Sequence, residues 1–331
     1  MLVDCHVHMA CNSQQSSGYT RLKWPQRMGS ALMSRRLGTY GACSDEEAER
    51  GYIRALSNYI LTSELDKAVL LAFDEVYHSS GERSRSLSRF FVPNDYVASV
   101  CAQHSTFLFG ASVHPFRLDA IDELERLCEK GAVLLKLLPN SHRFDPADAR
   151  LIPFYRKLAS LRLPLLLHGG FEHTIPVSNQ SFGDPARFRL ALDEGCTVIV
   201  AHAGSAGLIH LHETMGAFLR LLRDYPNCYG DTSALTNLWR SKYLRQLLHP
   251  ERLQHKYGVL IENPFDRMIH GSDYPVPITP MALGWKTSLR ARQNLTNANN
   301  PIQLDVALKR AAGVPDSCLS RAGQVVRLPS G

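Results

Sequence analysis

Leu163-Pro-Leu-Leu-Leu-His-Gly-Gly170 is a short apolar run that ends in a histidine and two glycines. Strands that are apolar at consecutive positions are typical of a parallel sheet covered on both faces. Val198-Ile-Val-Ala-His202 has the same form, and it also ends in a histidine. The two runs therefore predict parallel strands that carry imidazole side chains at their carboxyl ends.

Further short apolar runs, separated by helical stretches, extend this pattern along the chain. The predicted strands are Leu2–His6, Ala68–Ala72, Phe107–Val113, Val133–Leu137, Pro164–His168, Val198–His202, Cys228–Gly230 and Met268–Gly271. The predicted helices are Ile121–Glu129, Ala149–Ser160, Arg187–Glu194, Met215–Arg223 and Leu304–Ala312. Eight strands alternating with helices predict an α/β protein, a (β/α)8 TIM barrel, with an open doubly wound sheet as the alternative. No GxGxxG or GxxxxGK(S/T) motif follows a predicted strand, so a dinucleotide or P-loop site has no support.

The length of 331 residues fits either one large barrel or two smaller domains. We predict a single TIM-barrel domain over residues 1–331, with a long insert after the first strand, from about Met9 to Asp45. A loop of this length is usually functional or disordered. Its basic residues could supply a group that binds a substrate carboxylate or could form a solvated face. These residues are Arg21, Lys23, Arg27, Arg35 and Arg36.

Composition narrows the class of protein. Hydrophobic residues make up 44% of the chain, so a large core is expected and wholesale disorder is excluded. No apolar run approaches the roughly 20 residues of a membrane span, and the amino terminus does not resemble a secretory signal. The eight cysteines are scattered without a CxxC pair, which favours reduced thiols in a cytoplasmic protein. The net charge of +6 is mild for this length and suits at most an acidic small molecule.

Residues that can bind a metal stand at the ends of the predicted strands. His6 and His8 point the same way because strand residues two apart share a face. In a barrel all strand carboxyl ends meet on one rim, so residues distant in sequence converge there. Imidazole and carboxylate ligands suit zinc or a similar divalent ion, which lowers the pKa of bound water to about 7. The full set is His6, His8, Lys136, His168, His202 and Asp273.

These motifs, with His114-Pro115, Asp231-Thr-Ser233 and Gly271-Ser-Asp-Tyr-Pro275, resemble the amidohydrolase superfamily of metal-dependent TIM barrels. Within it the chain most resembles the amidohydrolase 2 branch, which holds hydrolases, including lactonases, and non-oxidative decarboxylases. The resemblance runs from Val3 to about Leu328. It implies one or two divalent ions, with zinc expected. The implied ligands are His6, His8 and Asp273, with His168 either joining them or binding a second ion. His202 is either a second-metal ligand or a free general base or electrophile.

The resemblance also implies roles in catalysis. Asp273 could accept the proton of the attacking water and pass it to the leaving group. Lys136 is either carboxylated and bridges two ions, as in two-metal members, or stays charged and binds a substrate carboxylate or a neighbouring acid. Asp273, His202 and Lys136 are therefore the predicted catalytic residues. Further contacts with substrate are predicted for Glu172, His173 and His114.

The predicted function is metal-dependent hydrolysis of a small lactone, ester or amide, with an acidic substrate expected. The alternative is non-oxidative decarboxylation of an aromatic or unsaturated acid. A metal-dependent nuclease is a remote alternative, since Lys136 stands where barrel deoxyribonucleases have Glu and the basic residues are dispersed. A non-catalytic scaffold would have lost ligands, and none is lost. The expected partner is a small molecule, not nucleic acid or a membrane, and a homo-oligomer is possible.

Overall fold

The computed structural model describes residues 1–21, 37–172, 175–206, 214–283 and 299–328. Within these ranges eight strands form one parallel sheet, hydrogen bonded in chain order. The strands are β1 Val3–His8, β2 Lys67–Leu71, β3 Phe107–Ala111, β4 Ala132–Leu137, β5 Leu165–Leu167, β6 Val198–Val200, β7 Cys228–Asp231 and β8 Met268–Ile269.

Backbone hydrogen bonds join the last strand to the first. The amide of Cys5 donates to the carbonyl of His270 (3.1 Å), and the amide of Asp273 donates to the carbonyl of His6 (2.9 Å). The amide of His8 donates to the carbonyl of Tyr274 (2.8 Å). These bonds close the sheet, so the predicted (β/α)8 barrel is confirmed and the open doubly wound sheet was the wrong alternative.

The described ranges contain ten helices of more than one turn. They are α1 Asp45–Leu61, α2 Asn94–Gln103, α3 Ala120–Glu129, α4 Ile152–Ser160, α5 Arg189–Asp193, α6 Met215–Asp224, α7 Ser241–Leu247, α8 Pro250–Tyr257, α9 Pro301–Ala312 and α10 Asp316–Val325. A one-turn helix forms at Pro139–His142. Single 3₁₀ turns occur at Ala149–Leu151, Gln180–Gly183, Pro185–Phe188, Ala201–Gly204, Pro264–Arg267 and Pro280–Leu283. The local sequence explains α9, whose amino terminus is capped by Asn300 and has Pro301 as its first residue.

The hydrophobic core has two parts. One lies inside the barrel and includes Val3, Cys5 and Leu134; the other lies between strands and helices. Ala322 of α10 and Val326 just after it join the inner part, next to Val3. They fill the amino-terminal end of the barrel, so the carboxyl rim is the end that is free to hold polar groups.

The insert after β1 is anchored at its start. Glu49 of α1 accepts hydrogen bonds from the amide (2.7 Å) and hydroxyl (2.7 Å) of Ser13. Tyr19–Thr20 then pairs antiparallel with Phe90–Phe91, and Arg21 stacks on Tyr19. The other basic residues of the insert, Lys23, Arg27, Arg35 and Arg36, lie outside the described residues. Among the helices described, none has both the length and the apolar surface to cross a membrane.

Candidate metal centre

β1 changes phase along its length. Val3 and Cys5 pack inside the barrel, whereas Val7 packs in the outer core, and the pairing of β1 with β2 shifts register between Asp4 and Val7. Irregularities of this kind re-aim side chains and are over-represented next to active sites. The shift allows the imidazole of His6 to follow Cys5 into the barrel.

Gly271 makes room for His6 at the seam between β8 and β1. A Cβ atom at position 271 would lie 2.9 Å from the Cβ of His6 and 3.3 Å from that of Ser233. The first distance is shorter than real Cβ contacts, so any side chain there would displace the histidine. Glycine at this position lets Asp273, two residues later, approach β1.

Three atoms that could bind a metal ion form a compact triangle at the rim. His6 Nε2 lies 3.2 Å from His8 Nε2, and His8 Nε2 lies 2.9 Å from Asp273 Oδ1. His6 Nε2 lies 3.4 Å from the same oxygen. Bonds of 2.0–2.1 Å to a tetrahedral zinc ion separate neighbouring ligand atoms by about 3.3 Å. The triangle therefore has the size of one face of a tetrahedral site.

Asp231 fixes the protonation of His6. His6 Nδ1 donates to Asp231 Oδ2 (2.7 Å), which leaves the lone pair on Nε2, inside the triangle. Burial, together with the charge of Lys136, holds the pKa of His6 well below its usual range, so the imidazole is neutral. In the sequence Asp231 begins the Asp231-Thr-Ser233 motif, which by itself predicts no role for the carboxylate. Its position at the end of β7, on the same rim, was the available signal.

His202 is held by the same carboxylate. Its amide donates to Asp231 Oδ1 (2.7 Å), and its Nδ1 lies 2.8 Å from Ser233 Oγ, which itself donates to Asp231. His202 Nδ1 lies 3.8 Å from Asp273 Oδ2. Ligand atoms of His6, His202 and Asp273 all lie within 4.8 Å of one another. Two candidate sets of ligands thus share His6 and Asp273, one completed by His8 and the other by His202.

Changing Asp231 to Asn tests the role of this carboxylate. An amide nitrogen facing His6 Nδ1 would donate to it and move the ring proton to Nε2, which could then no longer bind an ion. We expect zinc affinity to fall about 10- to 100-fold, the usual loss when a partner of a metal-binding histidine is removed. Competition with a chromophoric chelator measures the affinity. The control is Asp266→Asn, which changes an exposed carboxylate before β8; equal affinities in both variants would contradict the assignment.

His168 and Glu172 lie beside the triangle. Burial lowers the pKa of His168, and its Nε2 has no hydrogen-bond partner among the described residues. Glu172 Oε2 is 3.5 Å from that nitrogen, and the ring of His168 packs edge-on against that of His202 at 5.0 Å. A neutral imidazole with an unused buried nitrogen is suited to binding an ion or a substrate group.

Two cations flank the cluster. Lys136 is fully buried, its Nζ has no hydrogen-bond partner among the described residues, and burial lowers its pKa to about 8. Arg240, which sequence analysis did not single out, follows β7 and donates from Nη1 to the carbonyl of Ser205 (2.8 Å). Both cations interact electrostatically with Asp231, Asp273 and Glu172. Arg240 lies in the loop that follows β7. The only signal for it in the sequence was this position, because the loops after barrel strands lie at the carboxyl rim.

The other predicted substrate contacts are placed differently. His114 is buried, and both of its ring nitrogens are used: Nε2 donates to the carbonyl of His142 (2.8 Å) and Nδ1 accepts from the amide of Phe116 (3.2 Å). It therefore has no ring nitrogen left for a substrate in this conformation. His173 lies outside the described residues.

Imidazole and carboxylate groups that converge on the carboxyl rim of a closed parallel barrel define the class of metal-dependent TIM-barrel enzymes. The chain belongs to the amidohydrolase family, whose sequence model matches residues 3–313. Members of this family are metal-dependent hydrolases or decarboxylases, so the chain is an enzyme of this kind. The resemblance seen in the sequence is confirmed.

Solved structures share the fold at low sequence identity. An uncharacterized TIM-barrel protein from Bordetella bronchiseptica is 16% identical with a TM-score of 0.57 over 92% of this chain and 99% of its own. A putative 2-pyrone-4,6-dicarboxylic acid hydrolase from Pseudomonas putida is 15% identical with a TM-score of 0.54, covering 97% and 96%. A 5-carboxyvanillate decarboxylase from Sphingomonas paucimobilis is 12% identical with a TM-score of 0.52, covering 99% of both chains. No protein of curated function matches the chain.

Proposed function

We propose that this enzyme hydrolyses a small acidic lactone, ester or amide with the help of a divalent ion, for which zinc is the first choice. The observation that carries the proposal is the triangle of His6 Nε2, His8 Nε2 and Asp273 Oδ1, whose sides are 2.9–3.4 Å. An ion held there would acidify water and polarise a carbonyl oxygen. The donor set fits, because it combines two imidazoles with a carboxylate and one imidazole has its own carboxylate partner.

Besides binding the ion, Asp273 would transfer a proton during the reaction. Its Oδ1 faces the two histidines of β1, while Oδ2 lies 3.8 Å from Nδ1 of His202. A carboxylate placed in this way can accept a proton from water on one side of the substrate and return it to the leaving group. His202, neutral because burial lowers its pKa, is suited to hydrogen bonding with the substrate carbonyl or to sharing the proton.

The charges at the rim favour an anionic substrate. The group has two cations, Lys136 and Arg240, and three carboxylates. The carboxylates are those of Asp231, Asp273 and Glu172. With its histidines neutral, the group therefore carries one net negative charge. A divalent ion would turn this into one net positive charge. Positive charge on a buried lysine and a half-buried arginine favours a carboxylate, which Lys136 can bind as a point charge and Arg240 through its planar fork. Two of the similar structures belong to proteins named for acids, which supports the same class of substrate.

Decarboxylation is the second candidate, because the same two cations could hold the carboxylate that is lost as CO2. In this reaction Asp273 or His202 would supply the proton to the carbon. The decarboxylase among the similar structures keeps this candidate open. The chemical state of Lys136 would determine the number of ions in the centre. A carboxylated Lys136 would bridge two ions, whereas a charged Lys136 would bind substrate in a centre with a single ion.

Metal analysis combined with a substrate screen tests the proposal. Protein purified without added metal is expected to carry about one equivalent of a divalent ion in the one-ion form and about two with carboxylated Lys136. His8→Ala is expected to lose the ion, and His249→Ala, at an exposed histidine between α7 and α8, is expected to keep it. Pyrone dicarboxylates and other acidic lactones would then be screened for ring opening, and aromatic acids for CO2 release. A protein that binds no divalent ion would refute both candidates, and CO2 release without hydrolysis would select the second.

A further inference from the structure

A buried ion pair lies on α9, outside the metal centre. Lys309 and Asp305 are four residues apart, and Lys309 Nζ donates to Asp305 Oδ2 at 2.5 Å. Both side chains are 1% exposed. Pairs at this spacing on a helix normally lie in solvent, where they contribute little to stability. This pair instead faces the two loops that carry the rim residues.

Each member of the pair holds one of these loops. Lys309 Nζ donates to the carbonyl of Gly271 (2.7 Å) and lies 3.4 Å from His270 Nδ1. Asp305 Oδ1 accepts from the hydroxyl of Thr236. Gly271 is two residues before Asp273, and Thr236 is in the loop between β7 and α7. Helix α9 is thereby hydrogen bonded to both the loop that follows β7 and the loop that follows β8.

The backbone at Asp273 needs such support. Asp273 has a φ of +66°, in the left-handed region that residues other than glycine rarely adopt. Conformations of this kind persist only where the surroundings over-determine them, and they cluster at functional sites. The amide of Asp273 is already bonded to His6 on one side. The bond from Lys309 to Gly271 fixes the chain on the other side.

Stability alone does not account for the pair. Replacing a buried ion pair by apolar residues of similar size is often neutral or stabilising, since the charges no longer have to be desolvated. Because a buried pair is weak evidence for stability, the hydrogen bonds from this pair to two loops at the rim point to a role in positioning. His270, also buried, takes part through Nδ1 and keeps an Nε2 with no hydrogen-bond partner among the described residues.

We propose that Lys309 and Asp305 are positioning residues, which set the place of Asp273 at the metal centre and tie it to the β7–α7 loop that carries Arg240. The inference rests on the proposed function in one respect, that Asp273 binds the ion. Among the described residues no hydrogen bond joins the pair to the triangle, and Asp305 acts on Asp273 directly only through the repulsion of their charges. The positioning effect therefore passes through the Gly271 carbonyl and the Thr236 hydroxyl.

The test compares an apolar pair with the wild type. The double variant Asp305→Leu, Lys309→Met removes both charges together, and Arg310→Met removes a surface cation of the same helix that pairs with Glu64 and Asp316. Hydrogen exchange of the metal-free proteins is measured by mass spectrometry. We expect exchange in residues 271–276 and 234–240 to rise at least about tenfold in the double variant, with the rest of the barrel and the thermal unfolding midpoint little changed. Arg310→Met is expected to match the wild type in both segments.

Cobalt binding is the second measurement. The double variant is expected to bind Co²⁺ about 10- to 100-fold more weakly, with a changed visible absorption spectrum, since its carboxylate ligand is less well held. If the double variant does not fold, Thr236→Val, which removes only the hydroxyl bond to Asp305, is expected to raise exchange in the same two segments. Wild-type exchange in a folded variant overturns the inference, whether or not metal binds. A wild-type protein that binds no cobalt refutes the proposed function instead, and the exchange result still decides the role of the pair.

Discussion

Replacing Asp273 by Asn is expected to lower kcat/KM by about 10³-fold or more on any substrate that the wild-type chain turns over. Asp273 Oδ1 lies 2.9 Å from His8 Nε2 and 3.4 Å from His6 Nε2, so the variant loses the anionic member of the triangle. It also loses the group placed to carry the proton. General acid–base catalysis alone contributes about 10²- to 10⁴-fold, and the weaker hold on the ion adds to this loss.

The two losses can be separated. When kinetics are measured at saturating metal, the ion site of the variant is filled, so the remaining defect in kcat reports the loss of proton transfer. A chelator titration reports the loss of metal affinity. Asp266→Asn makes the same chemical change at an exposed site and is expected to leave both unchanged. If metal-saturated Asp273→Asn retained kcat within about tenfold of the wild type, less than general acid–base catalysis contributes, the carboxylate would not be the proton carrier.

The strands and the rim were predictable because their signals are local. Consecutive apolar residues mark strands buried on both faces, and the spacing of His6 and His8 follows from the strand period. The observed strand boundaries differ from the predicted ones where tertiary contacts determine the pairing. The first strand was predicted to end at His6, but it continues to His8 because the register shift adjusts its pairing with β2. The last strand is shorter than predicted, since beyond Ile269 the chain bonds to β1 only at separate points.

Roles that depend on contacts between elements distant in the chain could not be predicted from the sequence. Asp231 has its role because β7 and β1, distant in the chain, place a carboxylate 2.7 Å from His6 Nδ1. Arg240 belongs to a loop, where no periodicity marks the direction of a side chain. Asp305 and Lys309 have the spacing of a solvent-exposed helical pair, and only the packing of α9 under the rim buries them.

Arg240 gives the second large expected effect, which concerns specificity. We expect Arg240→Gln to lower kcat/KM on an acidic substrate by about 10²- to 10³-fold, because truncating one partner of a buried charge pair costs about 2–5 kcal/mol and each 1.4 kcal/mol is tenfold. Most of the loss should fall on KM, since a carboxylate distant from the reacting carbon is bound equally before and during the reaction. On the neutral methyl ester of the same substrate, the variant and the wild type should differ by less than about threefold, because no charge is left to bind.

The matched control is Arg245→Gln, one turn further along α7, where the guanidinium donates to the carbonyl of Ala282 (2.9 Å) instead of facing the rim. It is expected to keep wild-type kinetics on both substrates. Lys136→Gln, in contrast, should reproduce the selective loss on the acid if the lysine is charged, and should abolish the second equivalent of metal if it is carboxylated. A loss of equal size on acid and ester in Arg240→Gln would mean that the arginine supports the loop through Ser205 and does not select the substrate. The comparison therefore decides whether the positive charge beside the triangle serves recognition or structure.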